Sequence, residues 1–324
     1  MLQDFSQKIS GIMEINRIKG IVLNFFVNEM NLDSSLLLLW LKKDSAVIGL
    51  RKKENAEIIG GEIDLSLPEG EIITPQTFLK REKVLEKLGV LEEDFATPQD
   101  NLRALYLMLK QEKTIIGILG LVKLKGEIFE ESEIKLLSIM ARNLSVCFHR
   151  AMLYESAITD TLTGFYLRKY FEFTLSKEIE RASRYNHRIS LMRIELDNFN
   201  NLIETYGESV GALAIQQFSA EIKTLFRKTD IVSRFELGEF AILLPEAGYN
   251  DSLAISKRIQ KRIFLKWLEI PDSNISIKLN ISIGISIFPG DGNDAESLLN
   301  KAKDALRQAK SVTPPKIIFA RDIA

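Results

Sequence analysis

Cysteine and histidine are scarce in this chain: Cys147, His149 and His187 are all it has in 324 residues. A single thiol excludes an internal disulfide and suits a reducing compartment. Two histidines leave little material for a histidine-rich metal site. Long apolar runs are also missing. Stretches such as residues 115–122 are too short to cross a bilayer, and the amino terminus lacks the basic start and apolar run of a secretory leader. A cytoplasmic protein is expected. Charge of one sign is not in excess, with a formal net charge of -1. Global electrostatics therefore give no reason to expect nucleic acid or an anionic membrane as partner.

What is present is ordinary folding material. Hydrophobic residues make up 46% and charged residues 27%, the balance of folded domains rather than disorder. The length suits two of them. In residues 1–30, Ile9, Ile12, Ile15 and Ile18 recur every third position and Val22, Phe26 and Met30 every fourth, which predicts a helix. Residues 36–41 and 46–50 read as a hairpin of buried strands. A loop-rich stretch holding Gly60-Gly61 and residues 68–70 follows, then a short helix over 79–88. Two more strands, 103–110 and 114–124, flank a turn at 111–113. An acid-rich first turn then opens a long helix that runs to about Ile158 without proline or glycine. Its apolar positions exceed what one small domain needs, so a homodimer seam through Leu144 and Met152 is left open.

Beyond Ile158 the pattern alternates. Helices are predicted over 166–185, 198–203, 210–226, 251–268 and 295–310. Strands are predicted over 189–196, 275–288 (as a pair or one long strand) and 316–319. Between them lies the most informative stretch, residues 227–240. Ile231, Val232 and Phe235 begin a strand, Gly238 supplies a flexible turn, and Ala241, Ile242, Leu243 and Leu244 form a buried return strand that Pro245 ends. The fold class expected is α/β (α+β). Two domains, 1–150 and 151–324, each carry a central, largely antiparallel sheet with flanking helices, and a long helix joins them.

Several motifs in the second half resemble those of the GGDEF family, the diguanylate cyclases. They are Asp160-Thr161-Leu162-Thr163-Gly164, Arg227-Lys228-Thr229-Asp230 ahead of Glu236-Leu237-Gly238-Glu239-Phe240, Ser282-Ile283-Gly284-Ile285-Ser286, and Lys303-Asp304-Ala305-Leu306 with Ala309-Lys310. The resemblance runs from Asp160 to about Phe319. The order of elements in the first half resembles a GAF sensory domain by pattern alone.

The family resemblance implies condensation of two GTP molecules into cyclic di-GMP with two magnesium ions. It also implies where this chain departs. A metal carboxylate falls on Glu195, one methylene longer than the family's aspartate, and another falls on Gly238, which has no side chain. Glu236 and Leu237 replace the two tip glycines. The guanine-binding positions fall on Ile203 and Ala212. Glu195, Glu239 and Lys310 are thus read as vestigial catalytic residues in a pseudoenzyme with no metal and no cofactor. The family's product-binding R-x-x-D site is matched by Arg227 and Asp230, with its further arginine on Arg258. Guanidinium groups and a carboxylate suit phosphate and guanine edges. The expected function is a non-catalytic cyclic di-GMP receptor in signal transduction, its first domain regulating or interacting. A protein partner, membrane-associated or part of a secretion or regulatory complex, is also expected, and no nucleic acid. The alternatives are a protein-binding scaffold without nucleotide and, more weakly, a cyclase of residual or altered specificity.

Overall fold

The computed structural model describes residues 2–42, 45–53, 59–64, 104–112, 114–123, 127–270, 275–312 and 316–323. They form two compact units, Met1–Ala157 and Ile158–Ala324.

The first unit starts with α1 (Leu2–Ile9) and α2 (Ile15–Asn24), the latter prolonged by a π-helical turn at Phe25–Glu29. The single helix expected over residues 1–30 is therefore broken. Gly11 has φ +80°, a left-handed backbone that ends α1 and that glycine adopts without strain. The sheet contains β1 (Ser34–Lys42), β2 (Ser45–Lys52), β3 (Ile59–Asp64), β4 (Ala104–Gln111) and β5 (Thr114–Val122), in the order β3-β2-β1-β5-β4. All neighbours are antiparallel. Leu36, Leu37, Leu38 and Leu39 of β1 are all buried, so both faces of this strand are covered. Gly60 and Gly61, expected in a loop, belong to β3, where Gly60 lies opposite Gly49. Ladder hydrogen bonds need no side chain, which is why composition misled here. The expected helix over 79–88 lies outside the described residues, as do residues 68–70.

Helix α3 (Glu131–Ile158) is uninterrupted. Its Leu137, Met140, Leu144, Phe148 and Ala151 join a core with Phe5, Ile18, Phe26, Leu37 and Leu119. Leu144 is fully buried in this core, so it is not available for the dimer seam expected there, while Met152 packs against the same core and stays half-buried. Ile139, Val146 and Leu153 are the exposed apolar residues, 43%, 57% and 56% accessible, and they recur every seven positions. Among the described residues no helix is long and apolar enough to cross a membrane.

The second unit contains β6 (Tyr166–Leu167), α4 (Arg168–Tyr185), β7 (Ile189–Leu196), α5 (Phe199–Tyr206), α6 (Glu208–Lys223), β8 (Ile231–Arg234), β9 (Glu239–Pro245), α7 (Tyr249–Phe264), β10 (Trp267–Glu269), β11 (Ser276–Lys278), β12 (Ile281–Phe288), α8 (Ala295–Lys310) and β13 (Ile317–Phe319). Six strands make one sheet in the order β13-β12-β7-β9-β8-β6, while β10 and β11 form a separate ribbon. Only the outer pairs, β12 with β13 and β6 with β8, are parallel. The helix expected over 251–268 stops at Phe264, and Leu268 is buried on β10 instead. The segment 275–288 is two strands.

Alternation along β7 sorts the two faces. Met192, Ile194 and Leu196 pack with Phe199, Phe218, Ile259 and Ile263 from α5, α6 and α7. Ile189 and Leu191 pack with Phe171 and Leu175 of α4 and Leu298 and Ala302 of α8. Gly284 lets α8 lie directly on the sheet: a Cβ there would stand 2.1 Å from the Leu306 nitrogen and 2.3 Å from the Ala302 carbonyl oxygen. The flanking hydroxyls are used as well. Ser286 donates to the Leu298 carbonyl and Ser282 to Asp197, each at 2.8 Å.

Candidate functional site

Arg193 and Glu195 continue the α4/α8 side of β7 towards the β8–β9 turn. Glu195 stands opposite Glu239 in the β7–β9 register. Two carboxylates side by side repel, and each takes a cation from this chain. Arg193 donates from Nε to Glu239 Oε1 at 2.6 Å and contacts the same oxygen through its terminal nitrogen. It also lies over the Phe235 ring, 4.6 Å from the centre. The pair is sealed, with side chains only 5% and 13% accessible. Burial pushes the Glu239 carboxyl above its ordinary value, while Arg193 pulls it down and Glu195 adds repulsion. Lys310, from the end of α8, donates to Glu195 Oε1 at 2.6 Å.

The turn is clamped from outside. Arg234 donates to the Leu237 carbonyl at 3.2 Å and to Asp160 Oδ2 at 3.1 Å. Asp160 Oδ1 in turn accepts from the Thr163 amide and hydroxyl. The tip therefore answers to the turn that directly follows α3. Gly238, read from sequence as the turn's flexible residue, does not take up a left-handed backbone here. It is buried, and a Cβ there would stand 2.8 Å, 2.9 Å and 3.1 Å from Cγ, Cδ1 and Cβ of Phe199. Its smallness lets the turn rest on that ring. Glu236 and Leu237 are exposed at the apex.

Ile203 packs against Gly211 and Ala212 is half-buried, so the positions matched to guanine recognition offer only apolar atoms. Asp197 accepts from Ser282 with one oxygen, and its Oδ2 is buried without a hydrogen-bond partner. Burial raises its carboxyl, Ser282 opposes this, and Glu195 raises it further. No group of three metal-binding side chains converges among the described residues.

Arg227 and Asp230 lie between α6 and β8. Asp230 Oδ2 accepts from the Arg227 backbone N–H at 2.8 Å, and the Asp230 N–H donates back to the Arg227 carbonyl at 3.1 Å. This closes a tight turn, with Asp230 half-buried and raised above its ordinary pKa by burial, against the pull of that bond and of the Arg227 charge. Helices α6 and α7 run antiparallel: Gln217 donates to the Trp267 carbonyl, while Glu221, one turn on, pairs with Arg262 and Lys266. Arg258 is one turn before Arg262 on the same side of α7, so that register carries it towards the end of α6 and the Arg227 turn. Arg227 and Arg258 are exposed.

The Arg193, Arg234, Asp197 and Ser282 contacts were missed in the sequence. For Arg193 the signal was available: two residues before Glu195, it must share that residue's face of β7.

Residues 157–313 match the description "Diguanylate cyclase, GGDEF domain". That segment is a GGDEF domain. The chain is similar to Response regulator PleD of Caulobacter vibrioides, 29% identical over 48% of this chain and 35% of PleD. It is also similar to Diguanylate cyclase A of Treponema denticola, 26% identical over 72% of this chain and 61% of that protein. The chain thus spans about a third of the length of the first relative and three-fifths of the second. A solved structure comprising the coiled coil and GGDEF domain of DgcB from Caulobacter crescentus, in complex with c-di-GMP, shares the fold. It has a TM-score of 0.53 and 20% identity, covering 59% of this chain and all of that one.

Proposed function

We propose that this GGDEF domain binds cyclic di-GMP at Arg227, Asp230 and Arg258 without synthesising it. The observation that carries the reading is how the charges are spent. Glu195 and Glu239, the facing acids at the base of the tip, are each bound to a cation of the chain itself. The guanidinium groups of Arg227 and Arg258 make no ion pair among the described residues. A phosphate-bearing ligand meets waiting donors at the second place and repulsion at the first, where Glu236 adds a further negative charge. Ile203 and Ala212 leave guanine N–H groups unpaired there, at roughly 1–3 kcal/mol for each missing partner. Relatives that are diguanylate cyclases favour the enzymatic reading, and Glu236, Gly238, Ile203 and Ala212 weigh against it. Residues 1–150 are read as a GAF-like regulatory domain on the strength of the five-stranded antiparallel sheet and its helices.

Calorimetric titration of the purified chain and three variants tests the reading. Each arginine making charged hydrogen bonds is worth about 1.5–3 kcal/mol. Arg227→Ala and Arg258→Ala are thus expected to weaken binding roughly tenfold to a hundredfold. Glu236→Ala, exposed at the tip, is expected to leave affinity unchanged. Glu239→Ala is an unsuitable control, because it strands the buried Arg193 charge. Equal affinity in all variants contradicts the site. No binding in the parent leaves the protein-binding scaffold as the function.

A further inference from the structure

We propose that a groove beside α7, on the side away from Glu221, is a docking surface for an acidic amphipathic segment of a partner protein. Arg258 and Arg262 lie on the α6 side of α7. Lys257, Lys261 and Phe264 lie on another side and line a cavity of about 500 Å³, closed below by Ile263, Leu279 and Ile281. The lining contains no carboxylate. Lys257 and Lys261 are exposed and make no ion pair among the described residues. Phe264, which lines the cavity, is 54% accessible, and Leu265 and Trp267, which follow it in the chain, are 64% and 56% accessible. The Lys278 ammonium lies 3.3 Å from the centre of the Phe264 ring and 5.6 Å from that of Trp267, so one cation holds both rings in a single platform.

Aromatic side chains displayed together at the surface are the usual anchors of protein interfaces. Here they flank a concavity with uncompensated positive charge. The chemistry that fits is an apolar side chain entering the groove with carboxylates on either side to meet Lys257 and Lys261. From Lys257 to Phe264 the wall is about 10 Å long, two helical turns, which matches two turns of an amphipathic helix. A lipid surface is flat and would meet the protruding rings while leaving the apolar floor of the groove empty. The inference does not depend on nucleotide binding.

The probe is a fluorescein-labelled helical peptide with a leucine stripe and glutamate elsewhere, beside a twin in which lysine replaces glutamate. Fluorescence anisotropy with the full chain, without nucleotide, should show saturable binding of the acidic peptide alone, weakening as salt rises. Lys257→Glu/Lys261→Glu and Trp267→Ala should each weaken it by about tenfold or more. The double lysine variant changes exposed residues only, so it reports on the surface even if Trp267→Ala unfolds. Equal binding of the two peptides overturns the proposal, as does acidic-peptide binding that survives the lysine changes. So does Trp267-dependent sedimentation with phosphatidylglycerol vesicles in the absence of peptide binding.

Discussion

Restoring an acid to the third tip position by Gly238→Asp is expected to cost stability and to yield no cyclase. Any side chain at 238 starts with a Cβ within 3.1 Å of three atoms of Phe199, including that residue's own Cβ. These atoms are at the root of the ring, not at a flexible end, and Phe199 is only 5% accessible in the core. Overpacking of this kind costs about 1–3 kcal/mol. For a unit of this size that lowers Tm by roughly 2–4 °C per kcal/mol. Gly238→Ala isolates the steric part and should show most of the loss. Adding Phe199→Leu should recover some of it, a coupling that a double-mutant cycle reads directly. Activity is assayed by incubating each protein with GTP and magnesium and following pppGpG and cyclic di-GMP by mass spectrometry. No product is expected from Gly238→Asp, since Ile203, Ala212 and the Glu195–Lys310 pair remain. Multiple turnovers, or a Tm unchanged in Gly238→Ala, refute the reasoning.

Arg193→Met should destabilise by about 3–5 kcal/mol through the buried carboxylate it strands. Arg193→Met/Glu239→Leu should recover most of that loss in denaturant unfolding. Asp197 carries a carboxyl raised by burial, so the folded state holds its proton more tightly than the unfolded chain, and this group's contribution to stability falls as pH rises above its ordinary 3.8. Asp197→Asn should accordingly raise Tm at neutral pH, with the gain shrinking as pH falls towards that value; a gain independent of pH points to another cause. On α3, Val146→Asp should shift the mass in solution towards monomer if the protein is a dimer, by breaking the stripe of Ile139, Val146 and Leu153. Leu144→Asp should instead unfold the first unit, as followed by circular dichroism.

The elements most legible in the sequence were those whose burial is expressed by local pattern. The return strand after the tip, α8 and the uninterrupted α3 all announce themselves in this way. The misplaced boundaries lack a local signal. Phe264, Leu265, Lys266 and Trp267 contain no glycine or proline, yet α7 ends there, with Lys266 held by Glu221 from another helix. Gly60 in β3 is ordered by backbone pairing with Gly49, which composition does not register. At the site, motif spacing found Glu195, Glu239, Lys310 and the Arg227 turn. It did not reveal which cation meets which acid, because the Arg193–Glu239 and Lys310–Glu195 contacts join residues 46 and 115 positions apart. The burial of Leu144 was hidden for the same reason, since a helix's apolar positions do not say which of them its own domain already covers.

One measurement addresses binding without catalysis most directly: calorimetric titration of the parent chain with cyclic di-GMP, followed by titration with GTP and magnesium. Saturable heat is expected from cyclic di-GMP, diminishing in Arg227→Ala and with added salt, and no heat is expected from GTP with magnesium. Heat from GTP with magnesium together with none from cyclic di-GMP would contradict binding without catalysis.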